Sequence, residues 1–166
     1  LEWTGDGGTR DEDGDCGITG RMDGVINSAG HRLGTAEVED AVGAGHRIVE
    51  CAAVGVEHPV KGQALVVFAI PRKDVTAGLD EAGISRLVVQ LIGRYAAPEA
   101  VYLVPDLPRT RSGKIVRRLL RKIASGDTNE LGDLSALSDQ SIVPMLRERV
   151  WGQMAFGQSE AVQARA

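Results

Sequence analysis

Lys114 stands at the end of a Ser112-Gly113 turn, directly ahead of a predicted helix that carries further basic side chains. The stretch around it, Leu107–Asp127, holds seven of the nineteen Lys and Arg residues in a chain whose net charge is -4. An ammonium on a loop with positive charge behind it attracts anions. The pattern therefore indicates either a site for a small anion or a nucleic-acid surface.

The other reactive side chains form no recognisable catalytic or metal-binding pattern. Cys16 and Cys51 lack metal-ligand spacing, and we interpret both as small buried residues in a reducing cytosol. His46 and His58 have no acid or nucleophile partner in a recognisable arrangement. The chain is acidic, with a pI of about 5.4, and its basic stretch lacks interleaved aromatic side chains for base stacking. We therefore expect no metal site and no nucleic-acid partner.

The composition is that of a globular chain, with 43% apolar and 25% charged residues. A chain of this length buries roughly 68–70% of its unfolded surface if it folds as one unit. Its longest apolar run, Ala64–Pro71, is far shorter than the ~20 residues of a membrane span, and no signal segment opens the sequence. We expect a cytoplasmic protein with no membrane contact. The sequence begins with Leu1 and not with Met, and its first residues look like the middle of a longer chain, so we also expect a fragment.

Strands and helices are both predicted by pattern. A turn-rich segment up to Arg21 predicts a β-hairpin around Asp13-Gly14, and a short strand then leads into the glycine-bearing loop NSAGHRLG. Three further β-rich runs predict the main strands, at Ile48–Glu57, Ala64–Pro71 and Val101–Val104.

Helical periodicity fills the intervals. The predicted helices are one capped by Thr35 and running to about Ala44, one over Asp80–Tyr95, one with a buried stripe of Ile115, Leu119, Leu120 and Ile123 that Gly126 ends, and a short one over Pro144–Trp151. The fold class is therefore α+β. We predict a small mixed or antiparallel three-stranded sheet flanked by helices and preceded by the β-hairpin.

Four segments occur in an order that identifies a family. They are WTGDGGTRDEDG, ITGRMDGVINSAGHRLGTAEVEDAV, PRTRSGKIVRRLLRKIASGD and GDLSALSD. Together they resemble the C-terminal part of the AMP-forming acyl-CoA ligases of the adenylate-forming superfamily, and the acetate–CoA or propionate–CoA ligases in particular. The resemblance runs from about Trp3 to Val150.

The resemblance implies a division of the chain. Residues 1–22 correspond to the end of the large adenylation domain, with the hairpin and hinge, and residues 23–126 to a mobile α+β lid. Residues 127–151 form an extended segment with a short helix, and 152–166 are expected to be a disordered tail. The family's phosphate-binding loop and acyl pocket are absent from these residues, so we expect the fragment by itself to be inactive.

The resemblance also implies a two-step reaction that consumes ATP with Mg2+ and coenzyme A as substrates. In the first step, a short-chain carboxylate is joined to AMP. Lys114 matches the catalytic lysine, whose ammonium stabilises the charge where the carboxylate meets the α-phosphate. Asp6 matches a ribose ligand, and Arg21 matches an arginine at the ribose and phosphate edge of the nucleotide.

In the second step, the family's lid rotates and the acyl group passes to the thiol of coenzyme A. Asp23 matches the hinge residue of this rotation. Ala29 and Gly30 match the loop beside the pantetheine arm, and His31 in the same coenzyme A loop is interpreted as structural and not as a base. Arg32 matches an arginine that contacts phosphate in the rotated state.

One departure concerns the 3′-phosphate of coenzyme A. In acetate ligases a basic residue of the second predicted helix contacts it, whereas the matching stretch here is Leu87-Val88-Val89-Gln90. Arg86 or Arg94 is a candidate substitute from a neighbouring turn.

The resemblance also implies further binding partners. These are the chain's own N-terminal adenylation domain and, since the family is often switched off by acetylation of its lysine, a lysine acetyltransferase and deacetylase acting on Lys114. Two alternatives stay open at this point: a propionate–CoA ligase, and a stand-alone lid-like module that binds or regulates a partner enzyme.

Overall fold

The computed structural model describes residues 6–10, 16–21, 24–74, 78–127, 131 and 133–163, and for 6–10, 16–21 and 155–163 it describes the backbone only. The chain opens with a two-stranded antiparallel sheet of β1 (Asp6–Arg10) and β2 (Cys16–Arg21). This is the predicted hairpin.

The main sheet has five strands, two more than predicted. They are β3 (Val25–Ser28), β4 (His31–Gly34), β5 (Ile48–His58), β6 (Gly62–Pro71) and β7 (Ala100–Leu103). Of the two additional strands, β3 matches the short strand predicted before the segment NSAGHRLG, and β4 lies within that segment, which was predicted as a loop and folds with β3 as a hairpin.

Strands β5 and β6 form the centre of this sheet. They pair antiparallel along their whole length, from Ile48 opposite Pro71 to His58 opposite Gly62. The other edge of β6 pairs with two strands at different positions. β3 joins it antiparallel at Gly62, and β7 joins it parallel further along. The sheet is therefore mixed, and the predicted α+β class is confirmed.

Four α-helices accompany the sheet, together with a 3-10 turn. They are α1 (Thr35–Gly43), α2 (Glu81–Leu91), α3 (Arg117–Ala124) and α4 (Ile142–Gln163), with the 3-10 turn at Arg94–Ala96. Helices α3 and α4 cover one face of β5, β6 and β7, and α1 and α2 cover the other. Successive strand residues such as Ala52 and Ala53 are buried on opposite faces, which explains the uninterrupted apolar runs of β5 and β6.

Local signals set the helix ends. Asp80 caps α2 by accepting a hydrogen bond from the Gly83 N–H at 2.6 Å. The helix ends at Leu91 and not at Tyr95, since Gly93 adopts a φ of 137° that interrupts it. Gly34, and not the predicted Thr35, is the N-cap of α1.

Helix α4 is longer than the sequence pattern indicated. The prediction was a short helix over Pro144–Trp151 followed by a disordered tail, whereas α4 runs from Ile142 to Gln163. Its first part packs on the sheet through fully buried Leu146 and Val150. The Trp151 indole N–H donates to the carbonyl of Ile123, which attaches α4 to α3.

Candidate functional site

Lys114 closes a compact turn over Thr110–Lys114, called the Lys114 turn below. The Thr110 N–H donates to the Lys114 carbonyl at 2.8 Å, and the Gly113 N–H donates to the Thr110 carbonyl at 2.8 Å. The Thr110 hydroxyl accepts from the Lys114 N–H at 3.2 Å. Gly113 takes a φ of 84°, a left-handed conformation that favours glycine. The result is a defined turn with the Lys114 side chain exposed at its end.

The base of the Lys114 turn is attached to the segment before α4. Pro108 and Val116 are joined below the turn, where the Val116 N–H donates to the Pro108 carbonyl at 2.8 Å. On the outer side, the Ser138 N–H donates to the Arg109 carbonyl at 2.9 Å, and Thr110 bridges buried Leu137. The GDLSALSD segment therefore supports the turn.

Two arginines flanking the Lys114 turn are neutralised by carboxylates. Arg109 forms a two-pronged ion pair with Glu50 of β5, and this hydrogen bond raises the arginine's pKa. Arg117 at the start of α3 donates from Nη2 to both oxygens of Glu39 on α1, at 2.8 and 3.0 Å. The Arg117 side chain is only 30% exposed and paired, so it is not part of a solvated face.

Lys114 differs from these two arginines. Among the described residues, no carboxylate lies within ion-pair distance of its ammonium. It lines an open groove together with Glu50, Gly113 and Arg118. The ammonium is thus available to a ligand, while the charges on either side fix the turn.

A second exposed turn joins β3 to β4. Ala29 and Gly30, called the hairpin turn below, have φ values of 50° and 82°, the two left-handed residues typical of a type I′ connection. The Ala29 N–H donates to the Lys61 carbonyl at 2.9 Å, which holds the turn against the β5–β6 connection. A Cβ at Gly30 would meet nothing within 4 Å. The packing of this chain does not require glycine there, so the open space suits close approach of a ligand.

His31 and Arg32 continue directly from the hairpin turn. The His31 ring stacks on Tyr95 with ring centroids 4.6 Å apart. Arg32 is exposed on β4, opposite Asn27. The structure therefore gathers Ala29, Gly30, His31 and Arg32 into one hairpin.

The Lys114 turn and the hairpin turn lie at opposite ends of the β5–β6 pair. The first is attached near the start of β5 through Glu50, and the second near its end, where Gly62 opposes His58. Eight strand residues at ~3.3 Å each separate these ends by about 25 Å. The two predicted functional regions are not brought together.

The remaining predicted site residues are in the opening hairpin and after it. Asp6 and Arg21 are partners in the β1–β2 register, so their backbones face each other. Asp23 lies outside the described residues.

Sequence reasoning missed Glu39 and Glu50. Their arginine partners are 78 and 59 residues away, and no local pattern predicts such pairs.

Within the described part of the chain, no group of three or more His, Cys, Asp or Glu could hold a metal ion. No described helix is both long and apolar enough to cross a bilayer.

Comparison with protein families identifies the domain. Residues 37–114, which run from α1 to Lys114, match the model of the AMP-binding enzyme C-terminal domain. The chain carries an AMP-binding enzyme C-terminal domain. The match ends at the lysine of the Lys114 turn and includes both carboxylates, Glu39 and Glu50, that hold its flanking arginines.

Curated relatives of this domain share nearly half of its residues. The chain is 49% identical over 151 residues to "Acetyl-coenzyme A synthetase" of Stutzerimonas stutzeri (strain A1501) and 46% identical over 153 residues to a protein of the same name from Coprinopsis cinerea. These alignments cover 88% and 89% of the chain. The chain spans only 23% of the length of each relative.

Solved structures agree with the fold. The ATP-bound MatB of Rhodopseudomonas palustris superposes with a TM-score of 0.61 at 30% identity, over 74% of this chain and 24% of that one. A Brucella canis acyl-CoA synthetase gives a TM-score of 0.55 at 34% identity, over 72% of this chain and 22% of that one. The AMP-binding enzyme C-terminal domain is thus a small part of larger enzymes in both comparisons.

Proposed function

We propose that this chain is the lid of an AMP-forming acetate–CoA ligase. The enzyme would activate acetate with ATP to an acyl-adenylate and then form a thioester with coenzyme A. The observation that carries this proposal is the exposed Lys114 ammonium on a fixed turn, without a carboxylate partner among the described residues. The similarity to proteins named acetyl-coenzyme A synthetase favours acetate as the acid.

In the first step, a carboxylate oxygen attacks the α-phosphorus of ATP and pyrophosphate leaves with the electrons of the broken P–O bond. Negative charge collects where two anions approach each other, and the Lys114 ammonium offsets it most strongly at the transition state. Removing such a donor costs about 3–4 kcal/mol, or on the order of a hundred- to a thousandfold in rate. Asp6 would accept hydrogen bonds from the ribose hydroxyls, and Arg21 would contact the same nucleotide.

In the second step, the thiol of coenzyme A attacks the acyl carbon and AMP leaves. The hairpin turn would lie along the pantetheine arm, with the open space at Gly30 admitting it, and Arg32 would contact phosphate. About 25 Å of strand separates the points on the sheet at which this turn and the Lys114 turn are attached, so we infer that the two face the active site at different times. Rotation about Asp23 would exchange them.

We assign the contact with the 3′-phosphate of coenzyme A to Arg94. Arg94 is exposed and directly precedes Tyr95, which stacks on His31 of the hairpin, so this arginine is near the hairpin along the chain. Arg86 of α2 is the weaker candidate because it already has a carboxylate partner. Its Nη2 lies 3.7 Å from Oδ1 of Asp80, the N-cap of α2. The described residues contain no group of three or more His, Cys, Asp or Glu side chains that could hold the Mg2+ that accompanies ATP.

ATP–pyrophosphate exchange in the full-length enzyme tests the assignment. Exchange should require a short-chain acid, should be faster with acetate than with propionate, and should be lost in Lys114→Ala. Faster exchange with propionate would replace the proposed acid. Exchange that is undiminished in Lys114→Ala would refute the role of the lysine, and absence of acid-dependent exchange in the unsubstituted full-length protein would favour a binding or regulatory module.

We also propose that the enzyme works in the cytoplasm and that Lys114 is acetylated and deacetylated there. Its exposed side chain at the end of a turn is accessible to a modifying enzyme. Acetylation would remove the charge that adenylation needs and would leave the hairpin turn untouched. Mass spectrometry after treatment with a protein lysine acetyltransferase should find acetyl-Lys114. Labelling of other lysines with Lys114 unmodified would contradict the proposal.

A further inference from the structure

Glu39 connects three elements of the domain through one carboxylate. It lies on α1, and its Oε1 accepts a hydrogen bond from the Ala53 N–H of β5 at 2.9 Å. Both of its oxygens also accept from Arg117 Nη2 at the start of α3. Its side chain is only 20% exposed, so water screens this ion pair less than a surface pair.

The Lys114 turn is attached to the sheet and helix layer by one ion pair on each side. Arg109, just before the turn, is held by Glu50 of β5. Arg117, three residues after Lys114, is held by Glu39. Backbone hydrogen bonds close the base of the turn, so losing one ion pair would tilt the closed turn as a unit and move the Lys114 ammonium at its end.

Glu39 also compensates the positive charge of Arg117, which is costly to bury. The Nε of Arg117 is buried and has no hydrogen-bond partner among the described residues. Its guanidinium therefore depends on the Glu39 carboxylate for compensation. Without that carboxylate, Arg117 would turn toward water and carry the start of α3 with it.

We propose that Glu39 is a positioning residue for adenylation. By holding Arg117 it fixes the side of the Lys114 turn that carries the ammonium. The proposal rests on the proposed function, because it takes Lys114 to act in that step. A displacement of about 1 Å in a positioned group can cost about a hundredfold in rate. We expect Glu39→Gln to slow adenylation by about ten- to a hundredfold.

The effect should be confined to one half-reaction. The hairpin turn lies about 25 Å from the Lys114 turn and is held by Lys61, not by Glu39. Thioester formation from supplied acetyl-adenylate and coenzyme A should therefore keep its rate. A purely structural role of Glu39 would lower both half-reactions together.

The experiment uses the full-length enzyme and measures both half-reactions. Glu39→Gln removes the charge while keeping the size of the side chain. Arg117→Lys is the second variant, since it leaves the bond from Ala53 to Glu39 intact and alters only the tie to α3. Glu81→Gln is the matched control. The Glu81 side chain is 26% exposed and forms an ion pair with Arg149, with 2.9 Å between Oε1 and Nη2. This pair does not involve the Lys114 turn.

The expected result is slow adenylation with normal thioester formation in Glu39→Gln and Arg117→Lys, and unchanged adenylation in Glu81→Gln. Equal loss of both half-reactions, an equal effect of Glu81→Gln, or no effect of either variant would overturn the proposal. Lys114→Ala measured alongside separates the two levels. If it abolishes adenylation while both variants adenylate normally, only the role of Glu39 fails. If it adenylates normally, the proposed role of Lys114 fails, and the basis of the Glu39 proposal fails with it.

Discussion

Three glycines allow the two half-reactions to be perturbed separately at nearly equal cost in stability. Gly30, Gly113 and Gly126 have φ values of 82°, 84° and 74°, and a Cβ at each would meet nothing within 4 Å. Alanine at these positions therefore introduces strain without a clash. A left-handed L-residue costs about 1–2 kcal/mol, and a stiffer unfolded chain returns part of this. We expect a net loss of about 1 kcal/mol in the free energy of unfolding at each position.

The functional consequences should differ although the strain is the same. Gly113→Ala alters the Lys114 turn and should slow adenylation by at least about tenfold, because catalysis is sensitive to displacements near 1 Å. Gly30→Ala places a methyl group in the open space of the hairpin turn and should slow only thioester formation. Gly126 ends α3, where Asp127 donates to the Lys122 carbonyl, and Gly126→Ala should slow neither step.

The assay is carried out on the full-length enzyme. ATP–pyrophosphate exchange reports adenylation, consumption of acetyl-adenylate with coenzyme A reports the second step, and thermal unfolding reports stability. Gly126→Ala is the control for strain without a functional position. If all three variants slowed both half-reactions in the same proportion, the assignment of the two turns to separate steps would be wrong.

Three further predictions concern packing and protonation. Burial, and then the neighbouring carboxylates Glu39 and Glu50, raise the pKa of the Cys51 thiol to about 12. Thiolate is the form that reacts with iodoacetamide. In a Cys16→Ser background, folded protein at pH 8 should therefore react roughly a thousandfold more slowly than unfolded protein. Labelling at the unfolded rate would contradict this burial. Asp80→Ala removes the cap of α2 and should cost about 0.5–2 kcal/mol in urea unfolding, with no change expected only if the bond to Gly83 is not formed in solution. Phe68→Ala, at a fully buried position, should cost about 3–5 kcal/mol in the same assay, and a loss below ~1 kcal/mol would mean that this core is loosely packed.

The main elements and the Lys114 turn could be predicted because their signals are local. The Ser112-Gly113 pair followed by a buried helical stripe predicts a turn before α3, and Gly113 does adopt the left-handed conformation. The β3–β4 hairpin could not be predicted in the same way, since its turn uses Ala29 where Asn or Asp is usual.

Longer-range features escaped the sequence for physical reasons. The ion pair of Arg117 with Glu39 depends on the packing of α3 and α1 against β5, which no local pattern encodes. Helix α4 passes Trp151 because the following residues include good helix formers such as Met154 and Gln153 and no proline. That segment has no amphipathic period, which is why periodicity did not find it.

The most direct test of the account compares the two half-reactions of full-length Lys114→Ala enzyme. Adenylation should fall by on the order of a hundred- to a thousandfold, while thioester formation from supplied acetyl-adenylate and coenzyme A should proceed at the wild-type rate. Wild-type adenylation in this variant, or loss of both half-reactions together in a folded enzyme, would contradict the claim that one exposed ammonium on the lid serves only the first step.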